Sequence, residues 1–76
     1  MGVVEVETAR LPDREAVLAL LQERGVTAEP REDLSIDVRG ERDEVLAELE
    51  ALVREAELPL VPVEADGRIF LRPPGD

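Results

Sequence analysis

The alternation of apolar and polar residues predicts two β-strands in this 76-residue chain. Residues 3–8 alternate between valine and acidic residues, and residues 34–39 place an aliphatic side chain at every second position. A period of two is typical of a strand with one buried face. The side chains predicted to face the core are Val4, Val6, Leu34, Ile36 and Val38.

Two longer segments carry apolar residues at helical spacing. Residues 14–24 and 41–57 both place leucine and valine three or four positions apart, with charged residues between them. Pro12 suits the first turn of the first helix, and Gly25 suits its end in a left-handed conformation. The helix dipole favours the acidic residues that open the second segment, and Pro59 prevents its continuation.

Three shorter strands complete the pattern. Residues 26–29 alternate again, and Pro30 then removes an amide donor, which limits this strand to the edge of a sheet. Residues 60–64 and 68–72 predict a hairpin that turns at residues 65–67. The chain is therefore expected to form five strands and two helices.

Two registers compete for this hairpin, because a shift of one residue exchanges the faces of a strand. A two-residue turn at positions 66 and 67 places Val63 opposite Phe70. A three-residue turn at positions 65 to 67 places Val63 opposite Ile69 and Val61 opposite Leu71. The second register joins aliphatic side chains and opposite charges across the strands, so the sequence favours it.

The order of elements predicts an α+β fold that resembles the ferredoxin-like two-layer sandwich. The order is β-α-β-β-α-β-β, and right-handed crossovers would place both helices on one face of the sheet. We expect an antiparallel five-stranded sheet in the order 5-4-1-3-2. Residues 1–72 are predicted to form a single domain, and residues 73–76 a loose C-terminal tail.

The sheet face away from the helices is predicted to be mostly acidic, with an apolar patch at the hairpin end. An exposed apolar patch on a small domain suggests an interface, most simply in a two-fold dimer. The interface candidates are Leu60, Pro62, Phe70, Glu5, Glu7, Asp37 and Arg39. Thr27, Glu29 and Ser35 are expected on the same face.

The composition argues against catalysis. The chain lacks histidine, cysteine, lysine, asparagine, tryptophan and tyrosine, the residue types behind most side-chain catalysis and transition-metal binding. We therefore predict that the protein is not an enzyme and uses no cofactor. An enzyme built from carboxylates and arginine would draw on Ser35, Asp37 and Arg39, a group that equally suits an ordinary polar strand face.

The net charge of −10 restricts the partners. It repels phosphate backbones and anionic lipid, so neither nucleic acid nor a membrane surface is expected to bind. No apolar run reaches the roughly 20 residues of a membrane span, and we expect a cytoplasmic protein. Glu41, Asp43 and Glu44 offer oxygen ligands, but they lack calcium-loop spacing and complement the helix dipole, so no metal is predicted.

Two segments are similar to part of the ACT domains, which are regulatory amino-acid-binding modules. Residues 11–17 and 21–26 resemble the first helix of those domains and its exit, and the length and element order also agree. The resemblance implies a regulatory domain that binds a small ligand. The Asp-Arg-Pro-Gly turn that contacts ligand in many ACT domains is missing, since Pro12 here precedes Asp13 and Arg14. We therefore interpret the likeness as shared architecture.

The sequence leaves two main hypotheses of function besides an ACT-like ligand-binding domain. The first is a non-catalytic interaction or regulatory module that contacts a partner protein or itself, most simply as a homodimer. The second is an acidic decoy that mimics nucleic acid and occupies a DNA-binding protein. Salt separates them, because binding by a decoy should weaken steeply with salt and an apolar interface should not.

Overall fold

Five strands and two helices form a small α+β fold in the computed structural model, which describes residues 2–74. The strands are β1 (Val3–Thr8), β2 (Ala28–Pro30), β3 (Ser35–Arg39), β4 (Val61–Ala65) and β5 (Arg68–Arg72), and the helices are α1 (Leu11–Glu23) and α2 (Arg42–Glu55). The number and order of the predicted elements are confirmed. Of the predicted tail, residues 75 and 76 lie outside the described residues.

The sheet is mixed and has the order β2-β3-β1-β5-β4. The predicted neighbours β2-β3-β1 are confirmed, and both pairings are antiparallel. The predicted order 5-4-1-3-2 and the all-antiparallel sheet are wrong, because β5 lies beside β1 and runs parallel to it. Pro62 gives the physical reason. A central strand needs a hydrogen-bond ladder on each side, and a proline in the middle of β4 has no N–H to donate, which interrupts one of those ladders, so β4 occupies the edge.

Both helices cover the same face of the sheet. The buried hydrophobic residues form one cluster that takes one face of β1, β2, β3 and β5 and one face of each helix, together with Leu60 just before β4. Val4, Val6, Ile36 and Val38 point into it as predicted, and Leu34 is half-buried just before β3. The helices contribute Val17, Leu21, Val45, Leu49 and Leu52. Among residues 2–74, no helix or strand covers the other face of the sheet.

The hairpin adopts the register that the sequence did not favour. Asp66 and Gly67 form a two-residue turn, and Val63 pairs with Phe70 while Val61 pairs with Arg72. Both turn residues have positive φ, 52° and 74°. This is the backbone of a type I′ turn, whose twist matches that of the strands. Turn chemistry thus prevails over the cross-strand aliphatic pairs.

Both helices end in the same hydrogen-bonded motif. After α1, the amide of Gly25 donates to the carbonyl of Gln22 (3.0 Å) and the amide of Val26 donates to that of Leu21 (3.0 Å). This is a Schellman motif, and Gly25 holds the left-handed position with φ 81°. Since Val26 belongs to this helix end, β2 begins two residues later than the predicted residue 26.

The end of α2 repeats the motif with an unfavourable residue. Glu57 donates to the carbonyl of Arg54 (3.3 Å), and Leu58 donates to that of Val53 (3.0 Å). Glu57 occupies the left-handed position with φ 54°. A side chain in this conformation costs roughly 1–2 kcal/mol, which glycine avoids.

We therefore expect Glu57→Gly to raise the free energy of unfolding by about 1 kcal/mol. Urea unfolding followed by circular dichroism measures the change. Glu50→Gly is the matched control, because it removes the same charge from an exposed position in the middle of α2 and should destabilise by about 1 kcal/mol. Equal effects of the two substitutions would contradict the assignment of Glu57 to the left-handed position.

Candidate interaction surface

The uncovered sheet face carries an apolar patch at its β4 side. The patch consists of Val61, Val63 and Phe70, which the hairpin register brings to the same face. Val61 is 42% exposed and Val63 is 38% exposed, while Phe70 is half-buried. The guanidinium of Arg72 lies over the Phe70 ring, 5.6 Å from its centroid. The positive charge of Arg72 is attracted to the face of this ring.

The apolar interface candidates do not all lie on this face. Leu60 is 5% exposed and belongs to the core cluster. Pro62 is half-buried and pairs with Leu71, a buried residue on the helix side of the sheet. Of these three candidates, only Phe70 lies on the uncovered face as predicted. The observed register turns Val61 and Val63 to that face in place of Leu60 and Pro62.

The polar candidates lie on the uncovered face and form ion pairs across strands. The Arg68 guanidinium (Nη1) lies 3.1 Å from Glu7 Oε1 and 3.8 Å from Glu5 Oε2. On the other side of β1, Arg31 Nη1 lies 3.1 Å from Asp37 Oδ1. The Arg68 pairs lie beside the apolar patch, and the Arg31 pair lies on the β2–β3 side of the face.

Arg39 lies exposed at the end of β3, opposite Val3 on β1. It borders a shallow depression of about 90 Å³ that Thr27, Glu29 and Asp37 also line. The predicted residues of this end of the face are therefore brought together. The neighbouring Val3 is 60% exposed, so an apolar side chain stands among them.

The uncovered face is balanced in charge and not mostly acidic as predicted. Its carboxylates are Glu5, Glu7, Glu29 and Asp37, and its guanidinium groups are those of Arg39, Arg68, Arg72 and Arg31, which reaches Asp37 from the loop after β2. The same loop places Glu32 and Asp33 at the rim of the face. Residues 41–57, around α2, contain seven carboxylates and two arginines. Half of the net charge of −10 therefore lies in the helix layer.

Ser35 is placed differently from its prediction. It belongs to the uncovered face by alternation, yet it is fully buried. Its hydroxyl donates to Glu5 Oε2 at 3.3 Å, and the carboxylates of β1 cover it. A short polar side chain among long charged neighbours is hidden by them, so strand alternation alone does not predict its exposure.

The loop between β2 and β3 is fixed from the helix side. Arg14 Nη1 donates to the carbonyls of Arg31 (2.9 Å) and Asp33 (2.7 Å), and the hydroxyl of Thr8 donates to the carbonyl of Leu34 (2.7 Å). A depression of about 270 Å³ lies beside this loop, lined by residues of β1 and of 33–35. These contacts satisfy the loop backbone, which keeps the rim of the face in place.

Asp33 closes a tight local turn in this loop. Its Oδ1 accepts a hydrogen bond from the amide of Ser35 at 2.9 Å, and this bond, with the positive charge of Arg31 nearby, lowers the pKa of Asp33. A lowered folded-state pKa stabilises the fold above the unfolded pKa, and the contribution is lost as the pH falls through the folded pKa.

We expect the Asp33 carboxyl to titrate below its ordinary pKa in a carbon-detected NMR titration. Asp33→Asn should also flatten the acid limb of the stability curve, because the variant has no carboxyl to protonate there. Asp43→Asn, at the exposed start of α2, removes a carboxyl elsewhere and is the comparison. An Asp33 carboxyl with an ordinary pKa would contradict the hydrogen bond.

Two of the three groups considered for chemistry are held by neighbouring side chains. Ser35 bonds to a carboxylate and Asp37 pairs with Arg31, while Arg39 lies beside Asp37 at the same shallow depression. Among residues 2–74, no three acidic side chains converge in the way that a metal ion requires. Neither helix in that range is long and apolar enough to cross a membrane.

The fold and the surface define a small α+β domain with one open, charge-balanced sheet face. No family model, curated protein or solved structure matches this chain. The geometry of its surfaces is therefore the guide to its function.

Proposed function

We propose that the chain is a small non-catalytic interaction or regulatory module that contacts another protein through its open sheet face. The observation that carries this proposal is the one-sided cover of the sheet, with the apolar patch exposed on the free side. Apolar area that the fold leaves in water is available to stabilise an association. The ion pairs around the patch supply the polar rim that such interfaces have.

The other surfaces are less suited to protein contact. The outer surface of α2 is acidic and offers a partner mainly charge, which solvent and salt screen. The two sheet edges each contain a proline, Pro30 in β2 and Pro62 in β4, and proline interrupts the row of amide donors that strand addition needs. The open face therefore has the strongest physical case.

The two alternatives receive less support. Mimicry of nucleic acid needs carboxylates spaced along an exposed face, and on the sheet face arginines accompany the carboxylates, so the basis for mimicry is the charge around α2. An ACT-like ligand site would need polar groups converging in an enclosed pocket, whereas the depression at the Arg39 end of this face measures only about 90 Å³. Both stay predictions.

Affinity capture from cells of the source organism tests the proposal. The wild-type chain, Val63→Asp and Leu11→Asp are immobilised in parallel. Leu11 is the matched control because it is 51% exposed and begins α1, in the helix layer. A partner retained by the wild type and by Leu11→Asp, but lost with Val63→Asp, supports the open face. Equal capture by all three chains contradicts it.

A further inference from the structure

We infer that a second copy of this chain occupies the open face, in a two-fold contact centred on the apolar patch. The inference rests on the proposed function and names its partner. A two-fold interface uses the same surface on both copies, so that surface must be complementary to itself. Val61, Val63 and Phe70 meet this condition because apolar side chains pack against their own kind.

The charge distribution favours a second copy at this face. Two chains that each carry −10 repel one another, and contact through the acidic α2 surface would add to the repulsion. The open face instead brings four carboxylates and four guanidinium groups from each copy. A strongly basic partner would be drawn to α2, whereas the balanced face suits a partner with the same balance.

The size of the face indicates a weak and reversible dimer. The five strands contain three to six residues each. At about 4.8 Å between strands and about 3.3 Å per residue, they span a face of roughly 400 Å². Two such faces bury roughly 800 Å² together, below the standard interface of about 1,600 Å². We therefore expect association that depends on protein concentration, with monomer and dimer in exchange.

Sedimentation equilibrium of the purified chain tests the inference. Between about 10 µM and about 1 mM, the weight-average mass should rise from that of the monomer towards twice that value. Val63→Asp should raise the dissociation constant of the dimer about 100-fold. A two-fold contact contains the substituted residue twice, and each copy is expected to weaken the dimer about tenfold. Leu11→Asp should leave it unchanged. Circular dichroism and thermal unfolding verify that each variant is folded.

Salt dependence identifies what holds the copies together. Raising NaCl from about 20 mM to about 500 mM screens the repulsion between the two negative chains, so dimerisation should strengthen at least threefold. Contact through charge attraction at α2 would weaken instead. Dimerisation that weakens with salt, or that survives Val63→Asp, overturns the inference.

Cross-linking provides a second test that does not depend on a destabilising charge. The chain contains no cysteine. A single introduced cysteine can therefore form a disulfide only with the same cysteine of a second chain. Val63→Cys should form a disulfide-linked dimer at least tenfold faster than Leu11→Cys under the same oxidant. Equal rates overturn the inference.

The outcomes separate this inference from the proposed function. A chain that stays monomeric at about 1 mM, yet captures another protein through Val63, overturns the second copy and leaves the proposed function standing. A monomeric chain whose captured proteins do not depend on Val63 overturns both.

Discussion

Replacing Leu49 with alanine is expected to lower the free energy of unfolding by about 3 kcal/mol. Leu49 lies in the middle of α2, is 0% exposed, and belongs to the core cluster between the helices and the sheet. The substitution removes buried methyl groups and leaves a cavity that the surrounding strands cannot fill. A chain this short has little stability in reserve, so the variant should be partly unfolded near body temperature. Urea unfolding measures the loss.

Two leucines serve as graded controls for this experiment. Leu46, one turn earlier in α2, is only partly buried, and Leu46→Ala should cost about 1 kcal/mol. Leu11 is half exposed at the start of α1, and Leu11→Ala should change the free energy of unfolding by less than about 0.5 kcal/mol. Equal losses at Leu49 and Leu11 would mean that α2 does not cover the sheet, which would remove the basis for an open face on the opposite side.

The periodicity of the sequence predicted the elements and their inward faces well. Alternation in β1 and β3 placed Val4, Val6, Ile36 and Val38 correctly, because a period of two leaves only one way to bury the aliphatic side chains. The end of α1 is also predictable, since Gly25 has the left-handed conformation expected of it. Local chemistry decides these features, and a sequence contains that chemistry.

The strand order was predictable in principle from Pro62. A central strand donates and accepts on both sides, and a proline in its middle interrupts one of those ladders. The same rule correctly predicts that Pro30 lies in an edge strand. Applied to Pro62, it assigns β4 to the edge and leaves β5, with its buried Ile69 and Leu71, as the neighbour of β1.

The surface is harder to predict because it depends on the hairpin register and on side-chain lengths. Cross-strand pairs favour one register, while the positive φ of Asp66 and Gly67 selects the other. That choice moves Leu60 into the core and brings Val63 to the surface. The predicted charge of the face leaves out Arg68 and Arg72, which alternate with the buried residues of β5, and Arg31, which reaches Asp37 from the loop after β2.

Replacing Gly40 with alanine is expected to destabilise the fold by about 3 kcal/mol. Gly40 joins β3 to α2 with φ 144°, a conformation that residues with a side chain rarely adopt. A Cβ atom there would lie 3.3 Å from Cγ2 of Val45, a core side chain that is 3% exposed and has little room to move. The substitution thus combines backbone strain with an overpacked contact. Urea unfolding again measures the change.

Two other glycines separate the two parts of this effect. Gly25 has φ 81°, but a Cβ atom added there would meet no atom within 4 Å, so Gly25→Ala should cost only the backbone strain, about 1 kcal/mol. Gly2 is exposed and its nearest contact would be at 3.9 Å, so Gly2→Ala should be nearly neutral. If Gly40→Ala cost no more than Gly25→Ala, α2 would have to begin farther from the sheet.

Because the amide of Gly40 also donates to the carbonyl of Gly2 at 2.9 Å, a shift of this junction would disturb the Val3 end of the open face. The Gly40 variant therefore tests how firmly the helix layer holds the surface proposed for binding.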